Sequence, residues 1–257
     1  VDSPEENIMF NTLPIVIKIG GNDLEQPGFI DDLARSVAAL QQQTPCILVH
    51  GGGQAINRMQ KQLGLEPVYI NGQRVTDDAS LAVAEMMLSG SVNKALTMAL
   101  LRAGVDALGL SGVDRGLLQV EPWGEGMGRV GRIVSVRADV LLGLCEQGVV
   151  PVVSPISLGP DGRYNVNADH AAGAIAAALH AAHATFLTNV PGVKIGAEVA
   201  PYLTVAQAQE LIAQGVITGG MIPKVQAALA AIGSGVQKAI ITDLPGLSAG
   251  TGTVFAA

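Results

Sequence analysis

Residues 14–21 read Pro-Ile-Val-Ile-Lys-Ile-Gly-Gly, a short β-branched run closed by a glycine pair. Such a run is a strand, and the glycines end it. The pattern returns at Cys46-Ile-Leu-Val49, closed by Gly51-Gly-Gly53. Between them, from Ile30 to Gln42, apolar residues fall at helical spacing, and a second helix is expected from Gln54 to Leu63. Strand, glycine turn, helix, strand is the rhythm of a parallel sheet with crossover helices.

The rest of the chain keeps that rhythm. Val68 to Arg74 reads as an exposed hairpin around Asn71-Gly72, a strong turn pair. Asp77 to Leu101 reads as one long helix, with Thr76, Asp77 and Asp78 as cap candidates. Ala107–Leu110, Val149–Val153, Thr185–Thr188 and Ala239–Thr242 read as strands. Pro151 argues against an interior place for the second of these. Leu117–Val136 reads as a glycine-rich hairpin, and helices are expected at 138–147, 169–182, 205–214 and 221–232. Gly246–Phe255 reads as a terminal hairpin. The expected fold is α/β, a three-layer αβα sandwich with a mainly parallel central sheet. No repeat or low-complexity linker interrupts it, so two lobes would meet at a hinge within one sheet, at about residue 180.

Composition narrows the function. Of 257 residues, 49% are hydrophobic and 14% charged, which excludes a disordered chain. The net charge of −7 argues against a nucleic-acid partner. Two cysteines, Cys46 and Cys145, cannot staple a secreted domain and suit the reducing cytoplasm. The most apolar stretch, Ala171 to Val190, is mainly alanine, carries two histidines and ends as a strand. It is not expected to span a membrane. Residues 1–12 have no basic region or apolar core, so they read as an exposed lead-in and not a signal peptide.

Two glycine turns directly after strands, Gly20-Gly21 and Gly51-Gly-Gly53, can bring backbone N–H groups and helix starts onto a polyphosphate. Either could be only a tight turn, but the pair favours phosphate. Neither matches GxxxxGK[ST], and no GxGxxG follows a strand. Lys18, flanked by Val16, Ile17 and Ile19, is costly unless its ammonium meets an anion or faces water from an edge strand. Lys224 stands at a helix start, where a cation is mildly unfavourable unless a phosphate shares the site, and a solvated surface lysine is an equal reading. Asn165 and Asn167 alternate, so they face one side of an extended segment. Asp169 reads equally well as a cap or first-turn acid. Arg74 could clamp a carboxylate or sit solvated on the surface. His180 and His183 lie three apart with no carboxylate or cysteine beside them, so no metal site is expected. No serine or cysteine nucleophile set stands out.

Six segments in order, IKIGG, LVHGGG, NGQRVTDD, LSGSVNK, YNVNAD and GGMIPKV, together resemble the amino acid kinase family. Within it they look most like the members that phosphorylate N-acetylglutamate in arginine biosynthesis. The resemblance runs from about Pro14 to the C-terminus, and NGQRVTD is its most specific piece. It implies transfer of the ATP γ-phosphoryl to the side-chain carboxylate of N-acetyl-L-glutamate, with Mg²⁺ bridging phosphate oxygens. Lys18 and Lys224 match the lysines that neutralise the moving phosphoryl, and Asp169 the aspartate that orients both. Gly20, Gly21, Gly51 and Gly52 match the backbone-donor turns. Arg74 matches the arginine for the α-carboxylate, and Asn165, supported by Asn167, the asparagine on the acetylated substrate. The amino-acid lobe and dimer surface would be residues 1–180. Residues 181–257 would hold ATP, through Thr188, Asn189, Gly192, Gly220 and Met221.

A carboxylate nucleophile is already ionised at neutral pH. It needs no general base, only in-line positioning and charge neutralisation. Asn189 and Gly219 stand where many relatives carry aspartate. The arginine-inhibited hexameric members carry an extra N-terminal helix, while here about a dozen residues precede the first strand. That implies an arginine-insensitive homodimer built on the Asp77–Leu101 helix. Two other readings stand beside this one. A related kinase could act on carrier-bound aminoadipate or glutamate, although the compact turn between Tyr69 and Thr76 fits a free substrate better. A silent amino-acid and nucleotide sensor is the second, although retention of Lys18, Asp169 and Lys224 opposes it.

Overall fold

The structure, a computed structural model, describes residues 12–70 and 72–257. The expected N-terminal lead-in falls almost wholly outside the described residues, as does Asn71 of the expected hairpin turn.

Strand β1 (Ile15–Ile19) is followed by α1 (Phe29–Gln41), β2 (Cys46–His50) and α2 (Gly53–Gln62). A small hairpin, β3 (Tyr69–Ile70) and β4 (Gln73–Arg74), leads into α3 (Asp78–Glu85). A π-helical segment, Met86–Val92, joins α3 to α4 (Asn93–Arg102). Next come β5 (Ala107–Gly112), the hairpin β6 (Leu118–Pro122) and β7 (Gly131–Val136), α5 (Ala138–Glu146), β8 (Val150–Gly159), β9 (Gly162–Asn165) and α6 (Ala168–Ala178). The C-terminal third adds β10 (His183–Leu187), the ribbon β11 (Lys194–Ile195) and β12 (Glu198–Val199), β13 (Tyr202–Thr204) and α7 (Val205–Ala213). It closes with α8 (Met221–Gly233), β14 (Ala239–Thr242), α9 (Leu244–Ala249) and β15 (Thr253–Ala256).

Among the described residues one sheet runs β13-β15-β14-β10-β1-β2-β8-β6-β7, with β5 and β9 also paired to β8. The core β14-β10-β1-β2-β8 is parallel throughout. Alternation along β1 sends Ile15, Ile17 and Ile19 to the face covered by α1 and α4. Val16 joins the core on the opposite face, under α6 and α8. The sandwich expected from the sequence is the observed architecture. Lys18 shares the parity of Val16, so it points toward α6.

Three expectations need correction. Pro151 does lie in an interior strand, because β8 pairs with β2 on one side and β5 on the other. The proline is tolerated because the ladder to β2 begins at Val152, one residue beyond it. The long helix is not regular, since the seven-residue π-helical segment sits in its middle. The C-terminal segment is not a local hairpin. Asp243 accepts from the Gly246 N–H and starts α9, whose short turn returns the chain so that β15 pairs antiparallel with β14.

Candidate active site

The parallel strands β10, β1 and β2 end together, and the turns that follow them meet along one sheet edge. This is where open α/β sheets bind ligands. Gly20-Gly21 and Gly51-Gly52 are nearly in contact. A Cβ on Gly21 would stand 2.8 Å from the Gly53 nitrogen and 2.9 Å from that of Gly52. Only glycine fits there, and two amide nitrogens converge on the space a side chain would fill. Gly53 begins α2, so the free donors of a helix start are added to the turn.

Lys18 is flanked by β10 and β2, so the edge-strand alternative falls away. Its Nζ lies 2.9 Å from the Asp169 carboxylate in the first turn of α6. Asn167 caps that helix by accepting from the Asp169 N–H at 2.7 Å, which fixes where Asp169 points. Lys224, in the first turn of α8, donates to Asn189 Oδ1 at 3.0 Å. Asp169 therefore touches one of the two lysines, and the other is held from the turn after β10.

Asp23, which sequence reasoning passed over, lines the same cavity as both lysines. It is buried, and a Cβ on Gly20 would stand 2.7 Å from its carboxylate oxygen. Burial pushes its carboxyl above the usual range, and Lys18 and Lys224 pull it back. Burial also lowers the Lys224 pKa, with Asp23 opposing and Lys18 adding to the fall. The only sequence signal was an acid two residues after the glycine turn.

Two cavities meet at the lysine–aspartate pair. The smaller, about 240 Å³, is lined by Gly51, Gly52, Arg74, Asn165, Asn167 and apolar side chains including Leu88 and Val130. The larger, about 600 Å³, is lined by Gly20, Asp23, Thr188, Asn189, Gly220 and Lys224. Lys18, Gly21, Gly53 and Asp169 border both. Gly192 and Met221 are not in the described lining of either. Gly192 has a φ of 153° and is packed against Thr253 and Val199, and Met221 packs on the core.

Arg74 is half-buried and held on several sides. It donates to Gln60 Oε1 at 2.6 Å, to the Tyr69 hydroxyl at 2.6 Å and to Asn57, with its guanidinium 4.9 Å over the Tyr69 ring. Burial lowers its pKa, with Tyr69 opposing. Asn165 Nδ2 donates to Thr76 Oγ1 at 3.2 Å, joining β9 to the end of the β3–β4 hairpin. The site thus has a cation at each end and a lysine–aspartate pair at the centre. Among the described residues no cluster of three or more His, Cys, Asp or Glu side chains could hold a metal. A divalent cation here would be carried by a ligand's own phosphate oxygens.

Residues 14–243 match the model of the amino acid kinase family. A Roseiflexus sp. (strain RS-1) protein named acetylglutamate kinase is 54% identical over 237 residues, covering 91% of this chain and 90% of its own. The protein of that name from Chloroflexus aurantiacus (strain J-10-fl) is 46% identical, covering 93% and 95%. The crystal structure of smu.665 from Streptococcus mutans UA159 superposes with a TM-score of 0.79 at 30% identity, covering 95% of this chain and 98% of that one.

Proposed function

The chain belongs to the amino acid kinase family, and on that footing we propose that it phosphorylates the side-chain carboxylate of N-acetyl-L-glutamate with MgATP, in arginine biosynthesis. The observation that carries the reading is the junction of two cavities at Lys18 and Asp169, one suited to a small diacid and the other to a nucleotide's phosphates.

In this reading Arg74 binds the α-carboxylate, and Asn165 and Asn167 hold the acetylated amide. The side-chain carboxylate then lies at Lys18. Its oxygen attacks the γ-phosphorus, an O–P bond forms, and the bond from phosphorus to the bridging oxygen of ADP breaks. Charge on the moving phosphoryl is met by Lys18, Lys224 and the Gly21 and Gly51–Gly53 turns. Asp169 holds Lys18 in place, and Asp23 keeps two cations close together without a ligand. Mg²⁺ arrives on ATP. Thr188, Asn189 and Gly220 flank the nucleotide.

Residues 1–180 form the amino-acid lobe and residues 181–257 the nucleotide lobe, the boundary falling between β1 and β10. The chain works as a homodimer. Met98 and Leu101 on α4 and Leu108 on β5, which pairs only with β8 among the described residues, leave an exposed apolar face that a second copy would cover. We place the enzyme in the cytoplasm, where ATP is made and thiols such as Cys46 and Cys145 stay free.

The test is hydroxylamine trapping of an acyl phosphate, with MgATP and N-acetyl-L-glutamate, L-glutamate or L-2-aminoadipate in parallel. Product with N-acetyl-L-glutamate alone is expected. Product with aminoadipate instead, or with no free acid, would overturn the substrate.

A further inference from the structure

His50, the last residue of β2 before the glycine turn, is wholly buried. The transfer as described gives it nothing to do. Burial pushes its pKa down to about 4, so at neutral pH the ring is neutral and one nitrogen carries the proton. Nδ1 lies 3.0 Å from the Gly51 carbonyl oxygen, and Nε2 lies 3.2 Å from the Asn93 side-chain nitrogen.

Asn93 settles which nitrogen is protonated. It is wholly buried at the start of α4, just after the π-helical segment. Its amide nitrogen also faces the carbonyl oxygens of Val152 at 2.8 Å and Leu110 at 3.3 Å, which can only accept. Its oxygen faces the Lys94 ammonium at 3.1 Å, which can only donate. The amide therefore cannot be flipped. The Gly51 carbonyl can only accept, and the Asn93 NH2 cannot accept from an Nε2–H, so the proton lies on Nδ1, aimed at Gly51.

That hydrogen bond fixes a peptide plane. In a trans peptide the carbonyl and the following N–H point in opposite directions. Holding the Gly51 carbonyl on the imidazole turns the Gly52 N–H the other way, to the side where Gly21 leaves space. The Gly52 N–H has no acceptor among the described residues. The Gly51 N–H is already bonded to Ile19 O at 2.9 Å, so the turn is held from both ends.

We propose that His50 and Asn93 are positioning residues for phosphoryl transfer: Asn93 sets the imidazole tautomer, and the imidazole aims the Gly52 N–H at the reacting oxygens. The inference rests on the reading that the Gly51–Gly53 turn faces the transferred group. It explains why a histidine stands before three glycines and why a polar residue is buried where the long helix changes its winding.

Two measurements test it on the full chain. Long-range proton–nitrogen spectra with ring-labelled histidine, assigned against His50→Asn, should show a neutral Nδ1–H ring at His50 from about pH 5.5 to 8. An Nε2–H ring, or titration near the ordinary histidine pKa, overturns the proposal even if no variant folds. In kinetics, His50→Asn keeps a donor at the δ position and should hold kcat within about tenfold. His50→Leu should lose about 10²-fold in kcat, with both KM values moving less than about threefold. Equal loss in the two variants, or none in either, overturns it as well. The wild-type hydroxamate assay keeps the readings apart. A wild type silent with N-acetyl-L-glutamate sinks the assigned reaction, whereas an active wild type with kcat intact in His50→Leu sinks only the role of His50.

Discussion

Lys18 sits within the parallel sheet, where an ammonium is stable only beside an anion. Asp169 supplies one, and Asp23 adds a second carboxylate in the cavity both lysines line. Asp169→Asn should leave KM for both substrates nearly unchanged and lower kcat by about 10²-fold, because the charge is needed to hold Lys18 on the moving phosphoryl. Steady-state kinetics with each substrate varied would check this. Asp23→Asn removes the group that supports the Lys224 charge. The alkaline limb of the kcat–pH profile should then move to lower pH, and a limb that stays or rises would show that Asp23 does not act on Lys224. Arg74→Lys keeps the charge and loses the two-pronged fork. It should raise KM for N-acetyl-L-glutamate by at least about tenfold with a smaller change in KM for ATP.

Whole elements explain why such residues meet. The turn after β1 and the turn after β2 pack within van der Waals distance, so neither can be altered alone. Gly21→Ala would place a methyl 2.8 Å from the Gly53 nitrogen, in the space where the proposed reaction puts the phosphoryl. Turnover should fall below detection while far-ultraviolet circular dichroism stays native. Retention of measurable kcat would show that the phosphoryl lies elsewhere. The π-helical segment acts at the same level. It swings Leu88 over Gly52, where a Cβ would stand 2.7 Å from Leu88 Cδ2, and it brings Ser89 to Ser154 at 2.7 Å. Such segments recur at functional sites because one extra residue per turn re-aims the side chains. Apolar spacing over residues 77–101 could not reveal it, since the helical periodicity survives one wide turn.

On the scale of the molecule, acid and ligands should act in opposite directions. His50 binds its proton near pH 4 when folded and near 6.5 when unfolded, and burial lowers His170 and His183 too. The unfolded chain therefore binds more protons between those values, so stability rises with pH. It is complete above about pH 6.5 and is lost progressively toward pH 4, by on the order of 3 kcal/mol for His50 alone. A melting temperature that is flat or rising as pH falls from 7 to 4.5 would contradict this. MgATP with N-acetyl-L-glutamate should raise the melting temperature, and the rise should continue with the logarithm of ligand concentration above Kd.

The sequence by itself determined the parallel strands of the central sheet, their order of appearance and the residues of the proposed site. β-branched runs closed by glycine carry that information locally, and Lys18, Asp169, Lys224, Arg74 and the paired asparagines fall within short motifs. Only the tertiary structure decided that β8 is interior despite Pro151, that β15 returns through a short helix, that Lys224 is held by Asn189, and that Asp23 and His50 are buried against the glycine turns. These follow from contacts between residues far apart in the chain, or from a buried environment that turns an ordinary acid or histidine into a fixed partner. Neither leaves a periodicity or a spacing that the sequence could display.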